Sequence, residues 1–161
     1  MTSYLELARA FDRESEPLHA LWAYEIAIVA EPFELHDYLN FVAIYFACCD
    51  FGFAHANGLH SRLSATAYER SVAILDLAEG QYASEAEIEA WRALLRARVL
   101  YDTIPLEMWK GIAARGSAIG QLFAFLDGDG LSFRTEAQAV WNTSKRGFTE
   151  RERHIASLGP F

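Results

Sequence analysis

The sequence predicts an all-α fold, and three observations carry that prediction. Apolar residues recur at spacings of three and four along nearly the whole chain, the period of a helix face. The alternating β-branched runs of strands are absent. Capping and breaking residues fall where the periodic segments begin and end. With 161 residues, 52% apolar and 14% aromatic, the chain has the material for a sizeable core and is too apolar for a disordered tail.

Tyr4, Leu7, Ala8 and Phe11 share one face of a first helix near 3–13. Leu21, Tyr24 and Ile28 mark a second near 17–30, with Pro17 in its first turn, where a missing N–H costs nothing, and Pro32 closing it. Tyr38, Phe41, Val42, Tyr45, Phe46 and Cys49 make the stripe of a third, near 34–53. Asp50 is the one charge between Tyr38 and Ser61, so this helix reads as buried on most sides. Asn40, Asp50, Asn57 and glycines interrupt the stretch, which argues against a membrane span.

Further helices follow near 63–79 (Tyr68, Val72, Leu75), 84–101 (Ile88, Trp91, Leu95) and 105–115 (Leu106, Trp109, Ile112). The last three lie near 117–126 (Ile119, Leu122, Phe123, Leu126), 134–146 and 149–158, giving eight or nine in all. Ser84 to Glu87 and Thr149 to Glu152 have the form of capping boxes, in which a hydroxyl accepts from the third amide and a carboxylate reaches back. Pro105 fits a first turn, and Gly80, Gly116 and Gly130 fit left-handed C-caps. Short connections imply antiparallel neighbours. No Pro-, Gly- or Ser-rich linker divides the chain, so residues 1–161 read as one helical domain.

The charge is local. Acids exceed Lys and Arg by 22 to 14, for a net charge of −8, which disfavours nucleic acid as a partner. Residues 1–60 hold nine acids against two bases, Arg9 and Arg13, while residues 121–161 balance. An acidic segment of this kind steers basic partners. The N-terminus lacks a basic stretch followed by an apolar one, and Cys48 and Cys49 are adjacent, where a disulfide would strain the backbone. Both features suggest a cytoplasmic, reducing location.

Tyr4, Leu7, Ala8, Phe11, Ala20, Tyr24, Ala27 and Pro32 stand at the spacings of a tetratricopeptide repeat, which the first 32 residues resemble. Small residues in this pattern let two helices approach, and large ones fill between them. Tyr38, Phe41, Val42, Tyr45 and Ala54 suit the first helix of a second unit, one repeat length further on. Gly58, Ser61 and Thr66 do not fit, and a second-helix pattern returns at 64–71 after an insertion around Ala54–Leu63. The family's tight-turn glycine is missing, with Ser15 near its place. The resemblance implies helical hairpins to about residue 115, stacked as a short right-handed superhelix or a bundle, with residues 117–158 as a cap.

That resemblance implies a scaffold whose first helices line a groove for a peptide or partner helix. A clamp for acidic tails is not supported, because no Lys precedes Lys110 and the first three helices are acidic. The expected partner is a neutral or basic protein or peptide. Asp37, Tyr38, Asn40 and Tyr45 are the candidate partner-binding residues, with Tyr38 and Tyr45 expected to present their hydroxyls to solvent.

Chemical sites find less support. The five His, at 19, 36, 55, 60 and 154, lack the spacing of paired helical metal ligands, and neither metal nor cofactor is expected. Asp127-Gly128-Asp129-Gly130 to Glu136 has part of a calcium loop, but its first ligand position falls on Phe125, so it reads as a turn. Cys48 and Cys49 have no positive residue nearby in sequence to activate a thiolate. The function expected is therefore an interaction module of adaptor, chaperone or inhibitor type. The alternatives are a bundle holding a small apolar ligand, or an enzyme using one of the two thiols.

Overall fold

The structure is a computed structural model and describes residues 2–128 and 130–158. Among these residues it is all helical: α1 (Tyr4–Arg13), α2 (Pro17–Ala30), α3 (Leu35–Cys48), α4 (Phe51–Ala56), α5 (Ser61–Gln81), α6 (Ala86–Val99), α7 (Leu106–Ala114), α8 (Ala118–Leu126), α9 (Arg134–Ser144) and α10 (Glu150–Ser157). No helix among the described residues is long and apolar enough to cross a membrane.

The first hairpin shows how the sequence sets its geometry. Ser3 and Glu6 form a reciprocal capping box at the start of α1. The α1–α2 turn puts Ser15 at φ 60, and the amides of Ser15 and Glu16 donate back to the carbonyls of Asp12 and Phe11. This left-handed closure is the conformation a glycine adopts freely, so Ser15 occupies the place of the missing turn glycine at some cost in strain. At the other end, Glu31 accepts from the amides of Tyr4 (2.8 Å) and Leu5, which brings the end of α2 to the positive end of α1.

One helix was expected over 34–53, and there are two. Asp50 interrupts it: its carboxylate Oδ1 accepts from the amides of Gly52 (2.6 Å) and Phe53 (3.3 Å) and starts α4. A short acidic side chain competes for backbone amides and favours a cap over a helix interior. The run from Asp37 to Tyr45 is buried throughout, because α2, α5, α6 and α10 all pack around α3.

Two further expectations fail for local reasons. Gly80 does not terminate a helix; α5 runs through it to Gln81. Ser84 does not cap α6 either, since it adopts φ 68 and Glu85 takes the cap position. Glu87 instead accepts from the Ser117 hydroxyl (2.5 Å) at the start of α8, so a long-range bond displaces the local box. The Thr149–Glu152 box forms as its sequence implies, and Gly116 has positive φ just past the end of α7; Gly130 also has positive φ but does not cap α8, which ends at Leu126 with Asp127 in the cap position.

The α7–α8 pair approaches closely at Gly120. A Cβ on Gly120 would meet Ile112 Cγ2 at 2.7 Å and the Ala113 amide nitrogen at 2.9 Å. Only glycine permits this approach, which stacks Trp109 on Phe123 with ring centroids 5.0 Å apart. The chain then returns to its beginning. Helix α10 packs on α3 and α9, the Glu150 amide donates to Asp12 Oδ1 (2.8 Å), and Arg153 donates to the Asp12 carbonyl (3.0 Å). Helix α10 therefore covers part of α3 and is tied to the end of α1 through Asp12.

Candidate functional site

The four residues singled out from the sequence are brought together on α3, but all face inward. Asp37 is fully buried and binds Arg9 through two bonds of 2.8 Å, while also accepting from the Glu34 amide (3.0 Å). The Tyr38 hydroxyl donates to Gln81 (3.0 Å), and its ring packs on Phe33. The Tyr45 hydroxyl donates to Glu25 (2.5 Å), which Arg70 holds from the other side. Asn40 is 6% exposed and lies beside the buried Tyr24. The hydroxyls expected to face solvent are thus engaged by side chains of α5 and α2, and burial raises the pKa of both Tyr38 and Tyr45. The physical reason is that α3 is surrounded, so its polar side chains need internal partners.

An exposed surface lies elsewhere, on the outer side of α2. Leu18 (48% exposed), Trp22 (54%) and Val29 (87%) stand on one face, with the half-buried Ile26 and Glu25 among them. Tyr4 of α1 meets the Trp22 ring edge-on at 5.7 Å between centroids. The opposite face of α2 buries Ala20, Tyr24 and Ala27. A helix apolar on all sides is normally buried on all sides. Here one side is covered, chiefly by α1 and α3, and on the other side Arg70 of α5 reaches only Glu25. The sequence held the signal in the spacing of Leu18, Trp22 and Val29, which repeats at helical period opposite the core stripe. Of the two bases in residues 1–60, Arg9 is bound to Asp37, so the face lies on a hairpin with a strong excess of negative charge.

A cleft of about 570 Å³ opens between the α3–α4 junction, the end of α6 and α10. Phe46, Phe53, Val99 and Tyr101 form its apolar walls, and Arg98 and His154 are among its polar lining. The His154 ring meets Phe46 edge-on at 4.8 Å. Burial, assisted by the Arg98 charge, lowers the His154 pKa to about 4, so the imidazole is neutral near pH 7. Cys49 also lines the cleft, and its thiol donates to the Tyr45 carbonyl at 3.6 Å. Burial pushes Cys48 up to about 12 and Cys49 up to about 11, which keeps both as thiols at neutral pH. A protonated thiol is a poor nucleophile, so the surroundings do not arm either one. Among the described residues no group of three or more His, Cys, Asp or Glu is placed to hold a metal ion. Asp129, the central acid of the 127–130 turn, lies outside the described residues.

Compared with protein-family models, with curated proteins and with solved structures, the chain finds no match.

Proposed function

We propose that this chain is a protein-interaction module that docks a partner on the outer face of α2 and Tyr4. The single observation that carries this reading is the exposure of Leu18, Trp22 and Val29 together on a helix that is apolar all round. Burying such a stripe gives about 25 cal/mol per Å² of apolar area, and Trp and Tyr are the side chains that most often anchor interfaces. The acidic excess of residues 1–60 supports a partner whose apolar surface is rimmed by Lys or Arg. The repeat-like spacing over residues 4–32 agrees with a scaffold role, with the docking surface moved from the α3 side to the outside of the hairpin.

A defined probe tests this reading. An amphipathic helical peptide of Leu and Lys is expected to quench or shift Trp22 fluorescence and to bind more weakly as salt rises from about 0.05 to about 0.5 M. Trp22→Glu removes the binding, and the Leu/Glu counterpart peptide does not bind. Equal binding of both peptides, or binding that survives Trp22→Glu, overturns the proposal. Concentration-dependent dimerisation abolished by Trp22→Glu assigns the face to a second copy of the chain instead.

A further inference from the structure

The cleft between the α3–α4 junction, the end of α6 and α10 contains several charged groups, and most are already engaged. Arg153 binds Glu150, the carbonyls of Gly147 and Phe148, and Asp12. Asp50 caps α4, and the Ser157 hydroxyl donates to the His154 carbonyl (2.7 Å). Two groups remain. His154 Nε2 is buried without a hydrogen-bond partner. The Arg98 guanidinium rests over the Phe123 ring at 5.5 Å, and no carboxylate of the described residues lies within ion-pair distance of it. Arg98 thus brings to this cleft a positive charge that no carboxylate of the described residues neutralises, whereas Arg153 on the opposite wall is already paired.

The rim adds a second anomaly. Tyr101 stands at φ 58 with 87% of its surface exposed. A bulky residue in the left-handed region is strained, and such strain gathers at functional positions. The volume of about 570 Å³ lies inside the usual range for small-molecule pockets, roughly 300–1,000 Å³. The neutral imidazole of His154 offers a hydrogen bond but no second positive charge.

We propose that this cleft binds a small aromatic monoanion, with its carboxylate on Arg98 and its ring against the wall of Phe46, Phe53 and Tyr101. One open guanidinium matches one negative charge, and the aromatic wall matches a flat apolar body. This site is separate from the α2 face and does not depend on it.

The probe is 2-naphthoate, with 2-naphthamide as its neutral counterpart, titrated into the full chain and followed by backbone amide NMR. Naphthoate is expected to bind with a Kd below about 1 mM and to shift amides of α4, the end of α6 and α10. Arg98→Gln weakens it about tenfold or more, the scale of a lost charge-assisted hydrogen bond, while the unfolding temperature falls only slightly, because Arg98 is exposed and gives up only its contact with the Phe123 ring. Naphthamide binds no better than naphthoate does to Arg98→Gln, and Trp22→Glu leaves naphthoate binding intact. The proposal is overturned if naphthoate and naphthamide bind alike, if Arg98→Gln has no effect, or if the shifts centre on α2. Absence of any binding at millimolar naphthoate also overturns it, and leaves the α2 reading untouched.

Discussion

Helices α2 and α8 have similarly apolar sequences and opposite fates. Helix α8 packs against α6, α7 and α9, and Ile119, Gly120, Leu122, Phe123 and Ala124 are buried. Helix α2 packs mainly on α1 and α3, with Arg70 of α5 reaching Glu25, and Leu18, Trp22 and Val29 are left in solvent. Composition therefore says that a helix can be buried, and the packing around it says whether folding by itself uses that capacity. In α8 the apolar surface stabilises the fold. In α2 the apolar side chains of Leu18, Trp22 and Val29 are left in solvent.

The sharpest way to break this contrast is to truncate one aromatic on each helix. Phe123→Ala is expected to lose about 3–5 kcal/mol in urea unfolding, because the ring is stacked on Trp109 in a closed site. Trp22→Ala, although it removes a larger side chain, is expected to lose less than about 1 kcal/mol, mainly its edge contact with Tyr4. Comparable losses would mean that α2 is already covered in the free protein.

A second test concerns α10, which is tied to the end of α1 through Asp12. Two ionisable groups on this seam are displaced in opposite directions. Burial raises Asp12 from 3.8 to about 6, so the folded state holds the proton more tightly. The stability linked to Asp12 is full below about pH 4 and is lost as pH rises through 6. His154 is lowered from 6.5 to about 4, so its contribution is present above pH 6.5 and is lost as pH falls towards 4. The two slopes oppose each other between pH 4 and 6. Asp12→Asn is expected to leave stability rising with pH over that window, and His154→Gln to leave it falling. Each swing is on the order of 3 kcal/mol at about 1.36 kcal/mol per pH unit. Unfolding curves at pH 4, 5 and 6 measure both, and parallel behaviour of the two variants would show that neither group is set by the seam.

Smaller effects sharpen the local picture. Asp50→Ala removes the cap that separates α4 from α3 and is expected to cost about 1 kcal/mol, with faster amide exchange at Gly52 and Phe53. Ser15→Gly relieves a left-handed residue in the α1–α2 turn and is expected to gain about 0.5 kcal/mol. A loss there would mean that the serine contributes more to the turn than its backbone costs.

Much of the fold was legible because helices announce themselves locally. Thr149 and Glu152 make the box their spacing implies, Pro17 opens α2, and Gly116 closes α7. The break at Asp50 was harder to see, since cap and helix-interior positions compete at the same residue and only packing decides. Ser84 and Glu87 have the right spacing for a box, yet Glu87 is drawn to Ser117, thirty residues away. The candidate site was least legible. Asp37, Tyr38, Asn40 and Tyr45 looked available because polar and aromatic groups on one helix suggest a binding face. In the fold the same groups are taken up by Arg9, Gln81, Tyr24 and Glu25 of neighbouring elements.

By itself the sequence determined the helical class, most helix boundaries and the acidic character of the first third, because periodicity, caps and charge are properties of neighbouring residues. Tertiary structure alone decided which side of α2 stays in water, which tyrosines are enclosed, and that α10 returns to Asp12. These outcomes depend on contacts between residues far apart in the chain, and no local spacing encodes which distant surface arrives to cover a face.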